Sequence, residues 1–243
     1  MSHCKRILWT IFFVLSFQTG CYPQEKQEAS GNGEVSINRY PAVSGRFYPS
    51  DSSELSHALV DFFKQARPRR AANVQALIVP HAGYVFSGQV AASGYKQLDP
   101  YHIYENIFLL GSSHYESFEG ASVYSKGNYI TPIGEAQVNK NLANKLINDS
   151  KYFIFNKGAH LQEHSLEVQI PFLQYYLQQP FQIVPIIIGT HSPKVCKEIS
   201  SVLEPYFNEK NLFIISSDFS HYPSYAGAIK WDGITARAIV SNS

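Results

Sequence analysis

Residues 107–114 read Ile107-Phe108-Leu109-Leu110-Gly111-Ser112-Ser113-His114, an unbroken apolar run that closes on small residues and a histidine. Apolar residues without polar alternation are what a strand buried on both faces requires. Outward from this stretch the pattern recurs: Ala76-Leu77-Ile78-Val79-Pro80 runs into His81, and residues 183–188 and 212–216 are further short apolar runs. Helical patterns lie between them. Asp51-x-x-Glu54 is a capping box, and Leu55, Ala58, Leu59, Phe62 and Phe63 behind it share one helical face, so the spacing predicts a helix to about residue 66. Further helices are predicted over 87–98, 138–147, 163–177 and 193–207, the last with Pro193 in its first turn after Ser192. Strand and helix alternating at this density predict an α/β fold, a mostly parallel or mixed central sheet covered by helices.

Open sheets of this kind bind ligands in the crevice outside the carboxyl ends of their strands. Four predicted strands run into histidines at that end: His81, His114, His191 and His221. A fifth, His164, stands beside Glu163 at the predicted start of a helix. Imidazole binds metals and moves protons near neutral pH. Spacing alone leaves open which of the five converge. Pro80 before His81 and Gly83 after it let the backbone turn sharply, and Gly111-Ser112-Ser113 does the same for His114. In Asp218-Phe219-Ser220-His221 the carboxylate and imidazole are good metal ligands and the neutral hydroxyl a poor one. His191 reads as part of a helix lead-in, and Cys196 as an inert core thiol.

A net charge of +1 and the lack of a Lys/Arg run argue against nucleic acid as a partner. Residues 1–20 have the layout of a signal peptide: Lys5 and Arg6, then an uncharged stretch over 7–17, then Gln18-Thr19-Gly20 before Cys21. They predict a lipoprotein acylated at Cys21, held extracytoplasmically on a membrane through that N-terminal anchor. Residues 21–38 are small and polar, a flexible tether, and a single domain is expected over 39–243.

Several of these motifs carry a resemblance. Residues 39–49 (RYPAVSGRFYP), Pro80-His81-Ala82-Gly83-Tyr84 with Ser87-Gly88, residues 110–114 (LGSSH), 131–134 (TPIG), 163–171 (EHSLEVQIP) and 216–222 (SSDFSHY) follow in one order. In that order they resemble the Memo family, known in bacteria and archaea as AmmeMemoRadiSam system protein B and related to the LigB-type class III extradiol dioxygenases. The resemblance implies a Memo-like, LigB-like fold. It implies that His81 and His114 hold a metal, Fe(II) or Cu, that His164 serves as acid/base, and that Glu163, Ser220 and Tyr84 belong to the pocket. Its third metal position falls on Ser220, so Asp218 or His221 would have to complete the set. It also implies further C-terminal elements, relative to which this chain is truncated.

Two functions follow from the resemblance. One is a metal-dependent, dioxygenase-like redox enzyme. The other is a non-catalytic binding module whose vestigial pocket holds a peptide or small molecule.

Overall fold

The computed structural model describes Ile37–Ser241, so the leader, Cys21 and most of the tether lie outside the described residues. Six strands form the main sheet. They are β1 (Ala76–Val79), β2 (Asn106–Ser112), β3 (Ala121–Val123), β6 (Phe153–Ile154), β7 (Ile183–Ile188) and β8 (Asn211–Ser216), in the order β1-β8-β2-β7-β3-β6. β1, β8, β2 and β7 are mutually parallel, β3 is antiparallel to β7, and β6 is parallel to β3. A hairpin of β4 (Tyr129–Thr131) and β5 (Gly134–Ala136) stands apart from this sheet. The four short strands β3 to β6 have too few residues to give an apolar run, which is why sequence periodicity passed over them.

Side-chain alternation along the central strands sorts the core into two layers. Ile107, Leu109, Ile183, Ile187, Leu212 and Ile214 face one side, packed with α1 (Ser52–Gln65), α2 (Tyr84–Tyr95) and α5 (Ile170–Tyr176). Phe108, Val184, Ile186 and Phe213 face the other, against α3 (Lys140–Asp149) and α6 (Pro193–Leu203). Asp51 caps α1 as its sequence predicts, accepting from the Ser53 and Glu54 N–H groups at 2.9 Å each. A short α4 (Lys157–Leu161) and a final α7 (Tyr225–Ser241) complete the elements, and α7 buries none of its residues.

The helix expected over 163–177 is shorter than its pattern. Residues 163–166 are irregular, Glu167–Gln169 is a single 3₁₀ turn, and the α-helix begins at Ile170. Pro171 has no N–H to continue a ladder from upstream, so it sits in the first turn instead. That irregular stretch is what frees Glu163 and His164 to reach the strand ends.

Cys196 is corrected from core thiol to exposed thiol. α6 buries Val195, Ile199 and Leu203, and Cys196 lies off that stripe, on the rim of an apolar cavity of about 470 Å³.

Candidate metal centre

β1 and β2 both neighbour β8, with Val79 and Gly111 each in register with Ser216. The segments that leave these strands therefore start side by side, and they carry His81, His114 and the Asp218–His221 turn. Gly111 matters for closeness. A Cβ there would come within 2.6 Å of Ser165 Oγ and 3.0 Å of Leu166 Cδ2, so only glycine lets the Glu163–Leu166 stretch lie against the end of β2.

His81 is buried and held at three points. Its N–H donates to Asp218 Oδ1 at 2.6 Å, the next N–H (Ala82) reaches the same oxygen at 3.2 Å, and its Nδ1 lies 2.9 Å from Ser216 Oγ. Its Nε2 is buried and has no hydrogen-bond partner among the described residues; the other oxygen of Asp218, Oδ2, is 3.8 Å away. Burial pushes the His81 pKa down to about 4 despite the opposing pull of Asp218, so the ring is neutral at pH 7.

His114 is oriented by Glu163. Its N–H donates to Oε2 at 2.7 Å and its Nδ1 lies 2.9 Å from Oε1, which also accepts the Ser165 N–H at 2.9 Å. Burial would raise the Glu163 pKa, but the hydrogen bonds from His114 and Ser165 outweigh it and hold the carboxyl at about 2. An ionised carboxylate only accepts, so Nδ1 carries the proton and Nε2 keeps its lone pair. The same bond raises the His114 pKa. This carboxylate–histidine pair is the usual support of a metal-bound imidazole.

His164 completes a triangle of rings. Its centroid is 4.5 Å from that of His114 and 5.5 Å from that of His81, while His81 and His114 are 5.1 Å apart. One ligand atom from each of the three can be chosen so that all lie within 4.8 Å of one another, and the same holds for His81, Asp218 and His221. His164 packs on Phe47 at 4.7 Å, and burial lowers its pKa. The structure thus brings together His81, His114, His164, Asp218 and His221; His191 is exposed and belongs to neither metal-capable group.

Two further expected pocket residues have these surroundings. Tyr84 is buried in the core, donates to the Val168 carbonyl at 2.7 Å, and packs against Tyr48 and Phe172. Ser220 donates its N–H to Asp232 at 3.0 Å, and its Oγ is buried without a partner among the described residues. Sequence reasoning missed the supports. Arg39 is buried, donates to the carbonyls of Glu163 at 2.7 Å and His160 at 3.2 Å, and pairs with Glu167. Glu167 in turn accepts from the N–H groups of Ala42 and Val43 and from Tyr48 Oη. The available signal was a charged residue, Glu167, amid the apolar residues of the 163–171 motif.

A model of the Memo-like protein family matches residues 39–239. The chain belongs to the Memo family. It is similar to a MEMO1 family protein of Aquifex aeolicus, 39% identical over 204 residues, which is 83% of this chain and 74% of the relative. A MEMO1 family protein of Thermoplasma acidophilum is 36% identical over 186 residues, covering 76% of this chain and 68% of the relative. For one from Sulfurisphaera tokodaii the identity is 34% over 217 residues, with 84% and 76% covered.

The lipoprotein, signal-peptide and membrane-anchored reading is corrected here. What the relatives support is Memo membership, and nothing in those matches supports a membrane anchor. No helix among the described residues is long and apolar enough to cross a membrane. Cys21 and the uncharged run over 7–17 lie outside the described residues.

Proposed function

We propose that this Memo protein is a metal-dependent, dioxygenase-like redox enzyme whose ion, Fe(II) or Cu, is held by Nε2 of His81 and of His114, with Asp218 Oδ2 or His221 completing the set. One observation carries this reading. The Nε2 atom of His81 is buried, is neutral at pH 7, has no partner among the described residues, and sits among His114, His164 and Asp218. A buried lone pair without a donor is costly, and a metal ion is the ligand that suits several such nitrogens at once. Two imidazoles and one carboxylate form the set that suits non-haem Fe(II) with positions left open.

A bound ion of this kind supplies Lewis-acid and redox chemistry at those open positions. The protein's residues do the rest. Glu163 keeps the His114 lone pair turned toward the ion, Asp218 ties the His81 turn, and Phe47 walls one side of His164. His164, held neutral by its lowered pKa, takes a proton from a substrate hydroxyl.

The competing reading, a binding module for a small molecule or peptide, draws on the exposure of the other wall, where His221 is exposed and Tyr222 fully so. Elemental analysis of anaerobically purified protein separates the two. Stoichiometric Fe or Cu in the wild type that disappears in His81→Ala/His114→Ala supports the enzyme, and equal trace metal in both removes its basis.

A further inference from the structure

Behind His81, four buried residues from four different segments share a closed set of hydrogen bonds. Gln169 Nε2 donates to the Pro80 carbonyl at 2.9 Å and to Ser216 Oγ at 2.8 Å, while its Oε1 accepts from Tyr95 Oη at 2.9 Å. Ser216 Oγ donates to the Ser165 carbonyl at 2.6 Å and meets His81 Nδ1 at 2.9 Å. Tyr95, Ser165, Gln169 and Ser216 are all buried.

The hydrogens in this set can be counted. The Pro80 carbonyl only accepts, so the Gln169 atom facing it is the amide nitrogen, and its two hydrogens go to Pro80 and Ser216. The Ser165 carbonyl also only accepts, so it takes the single hydroxyl hydrogen of Ser216. Ser216 has two lone pairs left, and Gln169 fills one. The other can be satisfied only by a proton on His81 Nδ1.

We propose that Gln169 and Ser216 are positioning residues that fix His81 in the Nδ1-protonated tautomer and so keep a lone pair on Nε2, the atom facing His114 and His164. The proposal rests on the metal reading for its purpose but not for its geometry. The opposite tautomer would set two lone pairs against each other at Ser216 and place a hydrogen where the ion binds. Tyr95 anchors the relay from the core, its hydroxyl donating to the Gln169 Oε1 atom, while the accept-only Pro80 carbonyl fixes which end of the amide points to Ser216. His81 therefore resembles His114 in outcome and differs in means: an ionised carboxylate orients one ring, and a neutral hydroxyl with no spare hydrogen orients the other.

The test is a long-range imidazole ¹H–¹⁵N correlation on metal-free ¹⁵N-labelled protein at neutral pH, read beside anaerobic titration with Fe(II). Wild-type His81 should show the Nδ1-protonated signature alone. Ser216→Ala should populate both tautomers and weaken Fe(II) binding by about 10- to 100-fold, and Ser216→Thr, which keeps the hydroxyl, should restore both. A wild-type His81 protonated on Nε2 overturns the proposal without recourse to any variant, as does Ser216→Ala with tautomer and affinity unchanged. Wild-type protein that shows the Nδ1 tautomer yet binds neither Fe(II) nor, in a parallel titration, Cu supports the relay and overturns the metal reading.

Discussion

Behind His81 and His114 the protein is dense with partners: Glu163, Ser216, Gln169 and Arg39 are buried and hydrogen-bonded, and both rings are fixed by their Nδ1 atoms. Across the crevice, the Asp218–Tyr222 turn is held mainly by Asp218 and by the Ser220 N–H on Asp232, and it carries two non-glycine residues in the left-handed region, Phe219 at φ 61° and Tyr222 at φ 65°. One wall is preorganised by burial and charge; the other is open and conformationally costly. The contrast teaches that His81 and His114 are fixed from behind by buried partners, whereas the exposed His221 has, among the described residues, only a hydrogen bond to the Phe219 carbonyl at 3.2 Å to hold its ring.

The largest expected effect breaks the preorganised wall at its base. Arg39→Met leaves the Glu167 carboxylate buried without its cation, and removing one partner of such a pair costs about 3–5 kcal/mol. Urea unfolding measures it, and a loss under about 1 kcal/mol would mean the remaining donors to Glu167 suffice.

The next test compares the walls directly. Glu163→Gln removes the ionised acceptor that orients His114 and is expected to weaken Fe(II) binding by about 10- to 100-fold. His221→Ala on the open wall should cost less than tenfold, about 1.4 kcal/mol. Equal losses would show the two walls contribute alike.

Acid should act through the buried side. His81 and His160 have pKa values lowered to about 4 and about 3, His81 by burial and His160 by burial and Arg39. Both take up protons near pH 6.5 when the chain unfolds and only well below that when it is folded, so the unfolded state binds more protons in that window. Stability is then fully present above about pH 6.5 and declines as pH falls toward 4. Thermal melts of metal-free protein should stay level from pH 7.5 to about 6.5 and shift down from there to 4.5; a flat series throughout would contradict the burial argument. The His114–Glu163 pair works differently, since its raised histidine pKa favours the charged ring at low pH and makes metal binding release a proton there.

The smallest effect has the opposite sign. Tyr222 is fully exposed and has no burial to lose, so Tyr222→Gly should relieve left-handed backbone and stabilise by up to about 1 kcal/mol, part of it offset by glycine's freedom in the unfolded chain. A destabilised variant would show that the Tyr222 ring against His221 holds the turn.

Much of this is legible in the sequence. The long apolar runs ending in His81, His114 and His221 marked strands and their carboxyl ends, because a strand buried on both faces leaves a continuous signature. Helix α1 was written in Asp51 and its apolar stripe. Strands β3 to β6 were not legible, since two or three residues carry no period, and Cys196 was misread although the Val195, Ile199 and Leu203 stripe of its own helix leaves it outside the core.

Sequence by itself determined the α/β class, the Memo resemblance and a short roster of histidines, all of which depend on residue type and local spacing. Tertiary structure decided which histidines meet, that Tyr84 serves the core, and that Arg39, Glu163, Gln169 and Ser216 hold the rings. Hydrogen-bond partners such as Arg39 and Glu163, 124 residues apart, are joined only by the fold. A side chain's partner depends on distance in space, and strand order β1-β8-β2 sets that distance without leaving any trace in neighbouring letters.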